Sequence, residues 1–211
     1  MKYKMVVFDL DGTILNTIGD LCDACNYALK KHGLTAITEE QTKAYLGHGI
    51  RHLIQEASLH HPQVDDILAD FKAYYGKNYN IKTKAYSGIQ EVFSYCREQG
   101  IRLGVVTNKV ESIARHLVEA HFPNIMNFVY GDTENRKRKP NPETILTILK
   151  DYALNEEDLL YIGDSEVDIA TVSNAGVNGL FVSYGFRAKQ ELQQYTDRLV
   201  DCPNEIIEWI R

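Results

Sequence analysis

The sequence predicts an α/β protein. Its core is a three-layer, Rossmann-like parallel sheet covered by helices, and a helical-bundle domain is inserted after the first strand. Three observations carry this reading. Short apolar, β-branched runs recur along the chain, helical patterns separate the later runs, and the segment 16–82 reads as helices throughout.

The first run is "KMVVFDL" (4–10), ending in an aspartate. "IRLGVVTN" (101–108), "NFVYGD" (127–132), "DLLYIGD" (158–164) and "GLFVSYG" (179–185) follow. Nearly continuous apolar runs suit strands covered on both faces, as in a parallel sheet. Helical periodicity fills 88–99, 110–121, 141–151 and 166–175, and strands alternating with helices imply right-handed crossovers. Between the first strand and the helix near 88 no strand is read. Helices over 17–32, 39–46, 49–59 and 64–80 are expected there, with breaks at Gly33, Gly47 and Pro62. That insertion is too long for a loop. The core is therefore expected over 1–15 with 83–211, and the helical domain over 16–82.

A chain of 211 residues holds one large domain, or a core with an insertion, and can bury a sizeable apolar interior. Its 44% hydrophobic and 25% charged residues are ordinary for a globular protein. The net charge of −6 argues against a nucleic-acid partner, which calls for an excess of Lys and Arg on one face. The basic run "RKRK" (136–139) reads as a solvated loop, Lys139 excepted. The N-terminal "MKYKMVVFDL" has too short an apolar segment for a signal peptide, and no run approaches a membrane span. A cytoplasmic protein without a membrane partner is expected, as a monomer or homodimer. Cys22 and Cys25 form a C-x-x-C, but Cys96 and Cys202 are isolated, and a zinc site needs further ligands. Among Leu21, Ala24, Ala28 and Leu29 the pair reads as buried helix positions.

In an open α/β sheet, ligands bind outside the carboxyl ends of the strands. Asp9 and Asp11 lie at that edge of the first strand, and residues two apart on an extended chain project to the same side. Thr107 and Asn108 end the run at 101–108, and Gly163, Asp164 and Ser165 end the run at 158–164. "KPNP" (139–142) opens a helix after the remaining central strand. Clustered carboxylates repel unless a cation sits among them, and hard oxygen ligands suit Mg²⁺. A lysine and a hydroxyl nearby suit a phosphoryl group. These residue types support metal-assisted phosphoryl transfer with a carboxylate as nucleophile.

"DLDGT" (9–13), "VVTN" (105–108), "KPNPE" (139–143) and "GDSEVD" (163–168) resemble the four motifs of the haloacid dehalogenase superfamily, in the right order and on the right elements. The insertion resembles the type-1 helical cap of that superfamily, and the nearest likeness is to its phosphoglycolate phosphatase-like members. The resemblance implies a Mg²⁺-dependent phosphatase for a small phosphorylated metabolite, with phosphoglycolate as the leading candidate. It casts Asp9 as the nucleophile that forms an aspartyl-phosphate. Asp11 would protonate the leaving oxygen and then activate water; dehalogenases lack this second acid. Gly12 permits a tight bend and, with Thr13 and Asn108, adjoins substrate. Thr107 would bond a phosphoryl oxygen, and Lys139 rather than Lys137 would offset the charge. The metal set is Asp9, the Asp11 backbone carbonyl and Asp164, with Asp168 orienting Lys139 or metal-bound water. Thr171 and Val172 stand where the family commonly has small alanines.

The inserted segment contains "LGHGIRHLI" (46–54). A dinucleotide fingerprint would need a third glycine and a preceding strand. By resemblance, Gly47, His48, Gly49 and Arg51 contact the substrate, where helix N-terminal amides and an arginine suit a carboxylate or second phosphate. A plain turn between helices is the alternative. His52, Glu56 and His60 share a face but form no H-E-x-x-H, so they read as solvated. Trp209 is expected to pack a terminal helix onto the core. Competing functions are a pyrophosphatase or nucleotide phosphatase, a sugar phosphomutase and a non-catalytic binding protein. A mutase of this family usually has a His early in the first cap helix, and none occurs between Asp11 and His32. Intact Asp9 and Asp11 argue against the binding protein.

Overall fold

The computed structural model describes residues 3–47 and 49–211. The chain divides into two compact units, one formed by residues through Leu15 together with Ala85–Arg211, the other by Asn16–Lys84.

The first unit contains β1 (Met5–Phe8) and, after the insertion, α5 (Ile89–Glu98), β4 (Arg102–Val110), α6 (Glu111–His121), β5 (Phe128–Asp132), α7 (Glu143–Asp151), β6 (Leu159–Gly163), α8 (Glu166–Ala175), β7 (Asn178–Val182), α9 (Lys189–Leu192), β8 (Leu199–Val200) and α10 (Pro203–Ile210). Six parallel strands pair in the order β5-β4-β1-β6-β7-β8. β1 is central, with Val6 opposite Leu103 on one side and Leu160 on the other. The winding direction reverses at β1, which opens a crevice at its carboxyl end, between β4 and β6.

The three layers follow from period-2 alternation. Met5 and Val7 join a buried cluster with Ile145 and Ile148 of α7 and Ala175 of α8. Phe8 turns to the opposite face, where its ring meets Phe93 of α5 edge-on at 5.3 Å, and Phe93 meets Phe122 at 5.1 Å. Met5, Val6, Val7 and Phe8 are all fully buried, which is why β1 reads as an unbroken apolar run.

The insertion is helical: α1 (Ile18–Lys31), α2 (Glu39–Tyr45), α3 (Ile50–Ala57) and α4 (Val64–Asn78), flanked by the two-residue strands β2 (Leu15–Asn16) and β3 (Lys84–Ala85), which pair with each other. α1 packs on α4 and buries Leu21, Ala24, Cys25, Ala28 and Leu29. Cys22 and Cys25 are thus free thiols on a buried helix face, and burial pushes Cys25 up to about 12. Thr38 caps α2 by accepting from the N–H of Gln41, whose side chain accepts from the Thr38 N–H in return. The buried Asp20 carboxylate accepts from the N–H groups of Ile81, Lys82 and Thr83 and from the Thr83 hydroxyl at 2.7 Å, which ties the end of the insertion back to α1.

The strands β2, β3 and β8 are too short to leave a periodic pattern, and the sequence reading has none of them. Trp209 is only half-buried; Pro203, Ile206 and Ile210 are the buried residues of α10, which packs on α5. The basic run is neutralised residue by residue, by Arg136 on Glu111, Lys137 on Glu143 and Arg138 on Asp132. Among the described residues, no helix is long and apolar enough to cross a membrane.

Candidate active site

The carboxyl ends of β1, β4 and β6 and the loop before α7 bring together most of the core residues that the four motifs single out. Asp9 extends β1, and its N–H donates to the Ile162 carbonyl at 2.8 Å. Asp164 follows β6 directly. Lys139 arrives from the loop between β5 and α7, and its ammonium lies 2.8 Å from Asp9 Oδ1 and 2.7 Å from Asp168 Oδ1. All four side chains are buried.

Asp168 is the saturated member of the group. Its Oδ1 accepts from Lys139 and from the Tyr161 hydroxyl at 2.9 Å. Its Oδ2 accepts from the Ser165 hydroxyl at 2.6 Å and from the N–H groups of Asp164 and Ser165. Burial pushes its carboxyl up, but Lys139 and these donors outweigh that and hold it below the usual range. Asp168 therefore holds Lys139 and the start of α8 in place, with both oxygens engaged.

Asp9 and Asp164 are in the opposite condition. Burial raises Asp9 to about 6, against the pull of Lys139 and with help from Asp168 and Asp11. Burial, then Asp168 and Asp9, raises Asp164 well above the ordinary carboxyl value. Oxygens of Asp9, Asp164 and Asp168 lie within 4.8 Å of one another. Asp9 Oδ1 is buried and, despite Lys139 nearby, accepts no hydrogen bond of proper geometry among the described residues. Two undercompensated carboxylates, one of them carrying that buried oxygen, fit a divalent cation with hard oxygen preference.

The glycines fix how closely this site is built. Gly12 has φ +82°, and a Cβ there would come within 2.1 Å of Asp164 Oδ2. A Cβ on Gly185 would meet the Gly12 carbonyl oxygen and Asp164 Cβ, each at 2.5 Å. The Phe186 N–H donates to Asp164 Oδ2 at 2.7 Å, and the Thr13 hydroxyl lies 3.4 Å from Asp164 Oδ1. Thr13 thus touches the acid rather than standing free. Asn108 is also committed, since its side-chain amide exchanges two hydrogen bonds with the Lys139 backbone, at 2.8 and 3.1 Å. Thr107 is buried at the end of β4, and its hydroxyl oxygen accepts the Lys109 N–H at 3.3 Å. Asp11 is half-buried, and its two oxygens lie 2.9 and 3.2 Å from the Lys109 ammonium.

Three contributors escape the sequence reading. Tyr161 sits in an apolar strand, and nothing in the pattern reveals that its hydroxyl reaches Asp168. Lys109 follows the motif "VVTN" directly, and Gly185-Phe186 lies far along the chain from Asp164. Gly47, Gly49 and Arg51 belong to the helical unit, where Arg51 pairs with Asp65 at 2.6 Å; His48 lies outside the described residues. His52 and His60 approach Glu56 at 3.8 and 3.3 Å, with His60 exposed and His52 and Glu56 half-buried.

The family model for haloacid dehalogenase-like hydrolases matches residues 6–182. The chain is 32% identical over 211 residues to a phosphoglycolate phosphatase of Mesorhizobium japonicum, covering 95% of this chain and 87% of that one. It is 34% identical over 195 residues to a phosphoglycolate phosphatase of Rhodospirillum rubrum, covering 87% and 80%. A crystal structure from Lactobacillus delbrueckii subsp. bulgaricus, of a protein assigned the same activity, superposes with a TM-score of 0.94 at 32% identity and covers 100% of this chain and 99% of that one. The match across motifs and fold establishes that the chain belongs to the haloacid dehalogenase-like hydrolase family, among relatives that are phosphatases.

Proposed function

We propose that the protein hydrolyses a small phosphate monoester, with phosphoglycolate as the substrate to test first, through an aspartyl-phosphate on Asp9 and with Mg²⁺ as cofactor. The observation that carries this reading is the buried, hydrogen-bond-orphaned Oδ1 of Asp9 beside Lys139. A buried carboxylate oxygen beside an ammonium that can offset phosphoryl charge is placed to attack phosphorus. The similarity to enzymes named phosphoglycolate phosphatase supports the choice of substrate.

In this mechanism an Asp9 oxygen attacks phosphorus and the bond to the leaving oxygen breaks. The leaving oxygen takes a proton from the Asp11 carboxyl and departs as an alcohol. The Asp11 carboxylate then takes a proton from water, whose oxygen attacks phosphorus. The bond to Asp9 breaks, which releases phosphate and restores both carboxyl groups. Lys139 offsets the negative charge, and Thr107 donates to a phosphoryl oxygen. Asp9, Asp164 and the Asp11 carbonyl would hold Mg²⁺, which supplies Lewis-acid polarisation of a phosphoryl oxygen.

The test is phosphate release from phosphoglycolate, other small esters, nucleotides and pyrophosphate, with and without Mg²⁺. Turnover dominated by phosphoglycolate and abolished by EDTA is expected. Asp9→Asn should lower it at least about 10³-fold, since no nucleophile remains. Full activity in Asp9→Asn would falsify the covalent route, and preference for pyrophosphate would overturn the substrate.

A further inference from the structure

We propose that Lys109 is a positioning residue for the acid–base work of Asp11, an assignment that rests on the phosphatase reading above. The Lys109 ammonium spans the carboxylate, 2.9 Å from Oδ1 and 3.2 Å from Oδ2. The lysine side chain is 3% exposed, against 22% for Asp11. The buried partner is thus anchored, and the half-buried partner is held.

The two residues differ in what fixes them. Asp11 lies in the turn between β1 and the insertion, just before Gly12 at φ +82°. Lys109 stands on β4, which pairs directly with the central strand. Its N–H is held on the Thr107 hydroxyl oxygen at 3.3 Å. The β4–β5 pairing is irregular between Val106 and Val110, the stretch that carries Thr107 and Lys109. Lys139 is already within 3 Å of both Asp9 and Asp168. The lysine that reaches Asp11 is a different one.

An ammonium that bridges both oxygens fixes the carboxylate plane and leaves each oxygen a further lone pair. Proton transfer needs the reacting oxygens at about 2.6–3.2 Å, so a carboxyl left to swing delivers its proton less often. Lys109 takes no part in bond making; it acts through Asp11.

Phosphoglycolate and 4-nitrophenyl phosphate separate this role from a structural one. The glycolate alkoxide needs a proton to leave, whereas nitrophenolate leaves without one. Lys109→Met is expected to lower kcat/KM for phosphoglycolate by about 10²-fold and for 4-nitrophenyl phosphate by less than about tenfold. Asp11→Asn should show the same ordering, and adding Lys109→Met to it should cost nothing further on 4-nitrophenyl phosphate, because a residue acting through Asp11 has nothing left to act on. Lys109→Arg should recover most of the loss. If Lys109→Met melts before assay, Lys109→Gln takes its place, with Arg again the rescue. Equal losses on both esters, additive losses in the double variant, a rise in KM alone or a gain in rate each overturn the assignment. A wild-type chain inactive on every ester instead overturns the phosphatase reading itself, and this assignment with it.

Discussion

Asp168 Oδ1 lies 2.7 Å from Lys139 Nζ, with side-chain exposures of 0% and 5%. Burial opposes the lysine's charge, yet Asp168 and Asp9 together hold it well above its ordinary value. A buried pair of this kind costs most when one partner is removed, because the other charge is then stranded. Asp168→Ala is expected to destabilise the fold by about 3–5 kcal/mol. Asp168→Asn should keep more of the fold while lowering phosphatase turnover at least about tenfold through a displaced Lys139. Urea denaturation and phosphate release on the same preparations check both; an unchanged turnover in Asp168→Asn would remove Asp168 from the catalytic arrangement.

Gly185 presses on Gly12 and Asp164 although it lies beyond β7 in the chain. A methyl group there has no room, with 2.5 Å to Asp164 Cβ and to the Gly12 carbonyl oxygen. Gly185→Ala should push Asp164 out of line, weaken Mg²⁺ activation at least about tenfold and leave the helical content unchanged. A magnesium titration of activity beside circular dichroism reads both.

The raised carboxyls make stability depend on pH in a defined direction. Between the ordinary 3.8 and about 6, the folded chain keeps a proton on Asp9 that the unfolded chain has released. Stability without metal therefore falls as pH rises through that window. Asp164, also raised, acts with the same sign, while Asp168, lowered, acts oppositely and below the ordinary value. Mg²⁺ requires the deprotonated acids, so it should raise Tm more at about pH 8 than at about pH 5. Thermal melts at both pH values, with and without Mg²⁺, check this; an increment that does not depend on pH would place the metal elsewhere.

Asp20 gives a prediction confined to the helical unit. Its carboxylate accepts three backbone N–H groups and the Thr83 hydroxyl. Asp20→Ala leaves those donors without it and should cost at least about 2 kcal/mol of stability. Asp20→Asn should cost less, since the amide oxygen still accepts. Denaturant midpoints of the two variants provide the comparison.

The sequence by itself determined the α/β core, its five long strands, its parallel winding and the helical insertion. Unbroken apolar runs and helical periods are local signals, and each survives folding as a strand or a helix. It also determined that Asp9 and Asp164 meet, because strand ends in a parallel sheet share one edge. The tertiary structure decided how the site residues divide their tasks. Asp168 is saturated, Asp9 pairs with Lys139, Asn108 is spent on the Lys139 backbone, and Thr13 touches Asp164. The Tyr161 hydroxyl, the Lys109 ammonium and the Gly185-Phe186 turn enter the site from positions that no periodicity marks. Which hydrogen bonds a buried polar group makes depends on partners far along the chain, and that pairing exists only once the strands are in register.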